Sequence, residues 1–237
     1  MEGLGRFEGW RRSDGAYVFE PLPEEAPTLG RVRIPAFYTS QWDAPGTVDG
    51  IAVDADARRG DCGPAALAPL IYLLTLERPT VDELGDACGQ PRSGPGAAYT
   101  SHAQLIQGAA AYGVRLESRV ESLTLGVIIE ELREGRPSIS LINYKRLREW
   151  TDAVRGTVKN QDRTFNGAHW VLAVGYDPVH PELGEVVEVH DPDFWGDRRG
   201  DGAFRAVPVD VFVDVMGTVA ETSGATRNFQ GLVVRAG

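Results

Sequence analysis

The sequence predicts an α+β domain in which helices come first and antiparallel strands follow. Three observations carry that prediction. The main helical signals (start residues, apolar runs, closing glycines) fall between residues 61 and 135. The main runs of alternating or continuous β-branched residues fall from 137 onward, a segregation that reads as α+β. The 237 residues are 42% hydrophobic and 24% charged, which suits one globular domain with a sizeable core. With 28 glycines and 15 prolines and no repeat, the chain is too rich in turn residues for a helical bundle.

Residues 1–30, rich in Gly, Pro and Glu, read as an extension to a main domain over 31–237 and contain one β-like run at 16–20. Residues 31–42 read as extended, and the Asp- and Gly-rich stretch 43–60 as an insertion or lid. Asp61-Cys62-Gly63-Pro64 then opens a buried helix over 63–76. Asp61 is placed to cap it, and Pro64 fits a first turn, where its missing N–H costs nothing. Pro69 should bend this helix, because it removes a hydrogen bond to Ala65. Further helices are expected over 81–88 after Pro79-Thr80, over 101–112 ending at Gly113, and over 125–134 ending at Gly135. Strands are expected over 137–144, 168–176 and 185–191, with shorter ones over 204–207 and 229–234. The polar stretch 145–166 reads as a lid or specificity loop.

Composition excludes several function classes. Against 34 acidic side chains stand 24 basic ones, a net charge of −10, so neither nucleic acid nor an anionic membrane surface is an expected partner. Cys62 and Cys88 are too few for a disulfide framework or a four-cysteine zinc site. The four histidines show no paired ligand spacing, and Asp191, Asp193, Asp197 and Asp201 lack the glycine and closing glutamate of a calcium loop. No metal or cofactor is expected. The first 15 residues lack the apolar core of a signal peptide, and the longest apolar stretch, 65–76, falls short of the roughly 20 residues that span a bilayer. The expectation is no membrane insertion and a location that is cytoplasmic or unassigned; the oligomeric state is open.

The chemistry is carried by four residues. Cys62 stands at the start of a helix, where unpaired N–H groups and the helix dipole favour an anion, and a thiolate is the nucleophilic form of cysteine. A buried structural cysteine is the plainer alternative. His169 opens one strand and Asp191 closes the next; a hairpin turning near His180 sets the two side by side, the arrangement in which a carboxylate orients an imidazole. Taken singly, His169 could be a strand-end histidine and Asp191 a turn former before Pro192. Gln41, upstream of the nucleophile, could donate an amide N–H to an oxyanion beside the Cys62 backbone N–H, or simply face solvent. Trp42, Gly63, Trp170 and Trp195 are candidate walls of a substrate cleft, although Trp170 also reads as core. Cys88 reads as core, and strand alternation turns His190 away from the site.

Gln41-Trp42-Asp43, then Asp61-Cys62-Gly63-Pro64-Ala65-Ala66-Leu67, then Gly167-Ala168-His169-Trp170-Val171, then Asp191-Pro192 resemble, in this order, the C39-like cysteine peptidases of the papain-like group. The resemblance covers roughly residues 31–216. It implies a papain-like fold, in which a helical part carrying Cys62 packs on an antiparallel sheet carrying His169 and Asp191. It also implies amide-bond hydrolysis without metal, on a peptide or protein substrate, through a thioester acyl-enzyme. On that match Cys62 is the nucleophile, His169 the general base and acid, Asp191 its orienter and Gln41 the oxyanion donor. The 21 positions from Gln41 to Cys62 exceed the family's usual gap. Two other outcomes remain open: acyl transfer by the same machinery, as in transglutaminase-like enzymes, and a catalytically silent binding or structural module.

Overall fold

A seven-stranded antiparallel sheet with helices on both faces forms the body of the protein, seen in a computed structural model that describes residues 7–11, 17–21, 30–42, 47–48, 51–52, 61–91, 99–157, 161 and 163–235. Strands β1 (Phe7–Arg11) and β2 (Tyr17–Pro21) pair as an antiparallel hairpin, followed by β3 (Val32–Arg33) and the small pair β4 (Thr47–Val48) and β5 (Ile51–Ala52). The rest of the 43–60 insertion lies outside the described residues. Next come α1 (Cys62–Thr75), α2 (Val81–Ala87), α3 (His102–Ala111), β6 (Leu116–Arg119) and α4 (Leu125–Arg133). The C-terminal half holds β7 (Ser138–Asn143), α5 (Tyr144–Arg155), β8 (Ala168–His180), β9 (Gly184–His190), β10 (Arg205–Pro208), α6 (Val209–Gly217) and β11 (Gly231–Val234). The sheet runs β10-β9-β8-β7-β11-β6, with β3 on the far end of β8.

Local chemistry explains the helix starts. Thr80 and Glu83 form a reciprocal capping box on α2, and Ser101 and Gln104 do the same on α3, each satisfying two otherwise orphaned N–H groups. The start of α1 is built differently. Asp61 occupies the N-cap position, but its side chain makes no capping bond; its backbone carbonyl accepts from Ala65 N at 2.8 Å. Pro69 lies within α1 without ending it.

Helices cover the sheet from two sides rather than one. On one face, Ile139, Leu141, Trp170, Leu172 and Val174 pack against Leu67, Leu70 and Ile71 of α1 and Leu84 and Leu105 of α2 and α3. On the other, Ile142, Val171, Ala173 and Val189 pack against Ile128 and Leu132 of α4, Leu147 of α5 and Phe212 and Met216 of α6. This is why β7 is buried at all six positions, its polar residues Ser138, Ser140 and Asn143 included. The stretch 145–166, expected as a lid or loop, instead begins with α5, whose buried positions Tyr144, Leu147, Arg148 and Thr151 recur at helical spacing.

Candidate active site

Strand pairing delivers the histidine. Ile142 of β7 sits opposite His169, and Asn143, the N-cap of α5, turns the chain so that the Tyr144 ring comes to rest 4.2 Å from the imidazole. Arg148 of α5 holds the approach to β8, donating to Phe165 O (2.6 Å) and to Asn166 Oδ1 (2.7 Å). His169 is 1% exposed, and its Nε2 lies 2.9 Å from Asp191 Oδ1. The Cys62 side chain is its other hydrogen-bond partner. With Nε2 engaged by the carboxylate, Nδ1 is the nitrogen left for the thiol. Burial alone would lower the basicity of the ring, but the hydrogen bonds to Asp191 and Cys62 outweigh it and push His169 up to about 10.

The carboxylate is held on every side. Asp191 Oδ2 takes a hydrogen bond from the Arg205 guanidinium, whose other arm reaches Thr151 Oγ1 on α5. Asp193 N donates to Asp191 Oδ1 at 3.2 Å. Burial would raise the acid; the hydrogen bond from His169 and the charge of Arg205 overcome it and keep Asp191 below its ordinary range. Behind it, the 3₁₀ helix over Gly196–Gly202 returns so closely that Gly202 O accepts from Asp191 N at 2.8 Å. A side chain at Gly202 would collide with the Asp191 carbonyl and the Tyr38 ring.

Residues 38–42 are zipped along residues 191–194. Tyr38 Oη donates to Asp191 O (2.9 Å), Gln41 N to Pro192 O (2.9 Å) and Ser40 Oγ to Phe194 O (2.7 Å). Gln41 is buried, with its amide Nε2 donating to Asp193 Oδ1 at 3.3 Å. Trp42 Nε1 donates to the same oxygen at 2.9 Å, and its ring meets Trp195 edge to face at 5.1 Å. Both tryptophans are half-buried.

The structure thus brings Cys62, His169 and Asp191 into one chain of contacts and links Gln41 to that chain through Asp193. Gly63 and Trp170 are both buried. Trp170 is buried in the core beneath α1, with Nε1 donating to Thr100 O at 2.8 Å, and Gly63 is packed against it. Cys88 is also core, pressed against Gly108 of α3, and no disulfide joins it to Cys62. His190 points to the other side, between Tyr38 and Phe204, where burial pushes it down to about 3. Sequence reasoning missed Arg205, Tyr144 and the role of Asp193. Of these only Tyr144 carried a signal, as the first residue of the helically spaced set on α5. No group of three or more potential metal ligands gathers among the described residues, and no helix among them is long and apolar enough to cross a membrane.

The fold matches that of a crystal structure of a candidate C39-like peptidase from Bacillus anthracis, at a TM-score of 0.53 and 17% identity over 87% of this chain and 98% of that one. A search of curated proteins returns no match. In sequence, the model of one family spans residues 35–205, from the segment carrying Gln41 through Cys62, His169 and Asp191 to Arg205 itself. On that match, covering well over half of its length, the chain belongs to the Peptidase_C39 like family.

Proposed function

We propose that the protein is a cysteine peptidase that hydrolyses peptide or amide bonds through Cys62, His169 and Asp191, with residues 31–237 as the peptidase domain and 1–30 as an extension. The observation that carries the reading is that one buried imidazole contacts both the Cys62 side chain and, at 2.9 Å, the Asp191 carboxylate.

The chemistry follows from that contact. In the reaction His169 takes the proton of Cys62, and Asp191 balances the resulting imidazolium. The Cys62 thiolate attacks the carbonyl carbon, forming an S–C bond while the carbonyl electron pair moves to oxygen. The backbone N–H of Cys62 and the amide of Gln41 are the donors for that oxyanion. Collapse expels the amine, which takes the proton from His169, and leaves a thioester. Water, deprotonated by His169, then releases the acid and restores the thiol.

The test is incubation with a mixed peptide library, followed by mass spectrometry. New termini should appear with the wild-type chain and vanish with Cys62→Ala; equal cleavage by that variant contradicts the reading. Adding a primary amine separates hydrolysis from acyl transfer, since a hydrolase yields acid as its main product.

A further inference from the structure

Asp193 stands two residues beyond Asp191 and is 1% exposed, yet the chemistry above gives it no part. It is the meeting point of three elements. Tyr144 Oη, from the start of α5, donates to Asp193 Oδ2 at 2.6 Å and is itself held by Gln161 Nε2 at 3.0 Å. Trp42 Nε1 and Gln41 Nε2 both donate to Asp193 Oδ1. A buried carboxyl is costly to keep unless its oxygens are satisfied, and here the donors are side chains of the segment that carries the oxyanion candidate and of Tyr144, whose ring lies tilted 4.2 Å from that of His169. The backbone zip between residues 38–42 and 191–194 fixes where this segment runs, but not which way the Gln41 amide turns.

We propose that Asp193 is a positioning residue that fixes the Gln41 carboxamide, taking one of its two Nε2 hydrogens so that the other is directed at the oxyanion formed on Cys62. This rests on the reading of Cys62 as nucleophile. It explains why a glutamine 21 positions ahead of the cysteine can still serve the site: its orientation is set from the His169 side of the site rather than by the intervening chain. Burial pushes Asp193 up to about 7, Asp191 adding to the shift while His169, Tyr144 and Trp42 oppose it. A neutral group with an acceptor oxygen at this position is therefore a close replacement, and Asp193→Asn keeps that oxygen for Gln41 and Trp42.

Two reactions of the full chain separate this role from general damage. Acylation by p-nitrophenyl acetate forms an oxyanion before p-nitrophenolate leaves; alkylation by iodoacetamide displaces iodide from carbon and forms none. Asp193→Ala should slow the acylation burst roughly a hundredfold to a thousandfold, as for loss of an oxyanion donor, while alkylation of Cys62 stays within about threefold of wild type. Asp193→Asn should restore most of the burst, and Gln41→Ala added to Asp193→Ala should cost nothing further. If Asp193→Ala does not fold, Asp193→Ser, a shorter acceptor, is judged by the same two rates. A parallel fall in both rates, an unchanged burst, or losses that multiply with Gln41→Ala overturns the assignment. A wild-type chain that shows neither a burst nor selective alkylation of Cys62 overturns the underlying reading instead.

Discussion

Arg205 grips the Asp191 oxygen that His169 leaves unused, so the carboxylate is held between a guanidinium and an imidazole with no exposure of its own. Arg205 is itself 4% exposed and lies with its guanidinium carbon 5.6 Å from the centre of the Phe194 ring, anchored at its far end to Thr151. Such a pair stabilises little relative to an apolar replacement of both partners, but losing one partner strands the other's charge.

Arg205→Met should therefore lower stability by about 3–5 kcal/mol, read as a lower denaturant midpoint. Arg205→Lys, which keeps charge but loses the planar fork that spans Asp191 and Thr151, should fall between that variant and wild type. A Met variant as stable as wild type would show that Asp191 does not depend on this partner.

Gly63 follows the nucleophile directly, and a Cβ there would lie 3.0 Å from Thr100, 3.1 Å from Leu105 and 3.2 Å from Trp170. In Gly63→Ala the better helix propensity contributes up to about 1 kcal/mol, whereas overpacking a tight core costs about 1–3 kcal/mol. A net loss on the order of 1 kcal/mol is expected, together with slower alkylation of Cys62, because the first turn of α1 must shift. Thermal unfolding and labelling kinetics check both; a gain in melting temperature contradicts the packing argument.

Two buried groups titrate against each other in mild acid. His190 is depressed to about 3, so below the unfolded value of 6.5 the unfolded chain binds a proton that the folded one refuses, and stability is lost as pH falls. Asp193, raised to about 7, does the reverse over much of the same range: the folded state binds the proton first, and stability is gained as pH falls from 7. Replacing His190 with Phe, which suits its place between Tyr38 and Phe204, removes only the first effect. Relative to wild type, His190→Phe should gain about 2 kcal/mol between pH 7.5 and pH 5. Unfolding curves at both pH values measure this; a difference that does not change with pH contradicts a neutral buried His190.

The helices α2, α3 and α4 and the strands β8 and β9 were legible because the helices carry their own start chemistry and the strands their own apolar runs, whereas α5 and α6, which follow β7 and β10, were not. The candidate site was legible for a related reason: Cys62 opens a helix, and His169 and Asp191 lie at strand ends. The register was not. A hairpin turning near residue 180 predicts His169 opposite Asp191, but Leu172 pairs with His190, two positions out of that alignment. Irregularities between Ala173 and Gly175 and between Asp177 and His180 change the pairing along the strands; Gly175 and Pro178 sit at them, but neither tells how far the register moves. A displacement of two keeps the same face of the strand, so His169 still reaches Asp191 diagonally. Asp193 lies beyond the end of β9, and its partners Gln41, Trp42 and Tyr144 come from distant parts of the chain, which is why its role was missed.

The helix α5 was hidden by its buried polar positions. Arg148 and Thr151 break the apolar stripe because they are spent on Phe165 O, Asn166 and Arg205 rather than on the core. Arg205 leaves no sequence signal at all: it is a strand residue paired with Val189, and only the fold puts it beside Asp191. Trp170 was legible as facing away from His169, and its place beneath α1 follows from strand alternation.

The central claim is that His169 activates the sulfur of Cys62, and the rate of iodoacetamide labelling at each cysteine across pH 5 to 9, followed by mass spectrometry, tests it most directly. The account predicts that Cys62 labels far faster than Cys88, and that His169→Ala abolishes the difference. Equal, slow labelling of both cysteines in the wild-type chain, or fast labelling of Cys62 that survives the loss of His169, contradicts it.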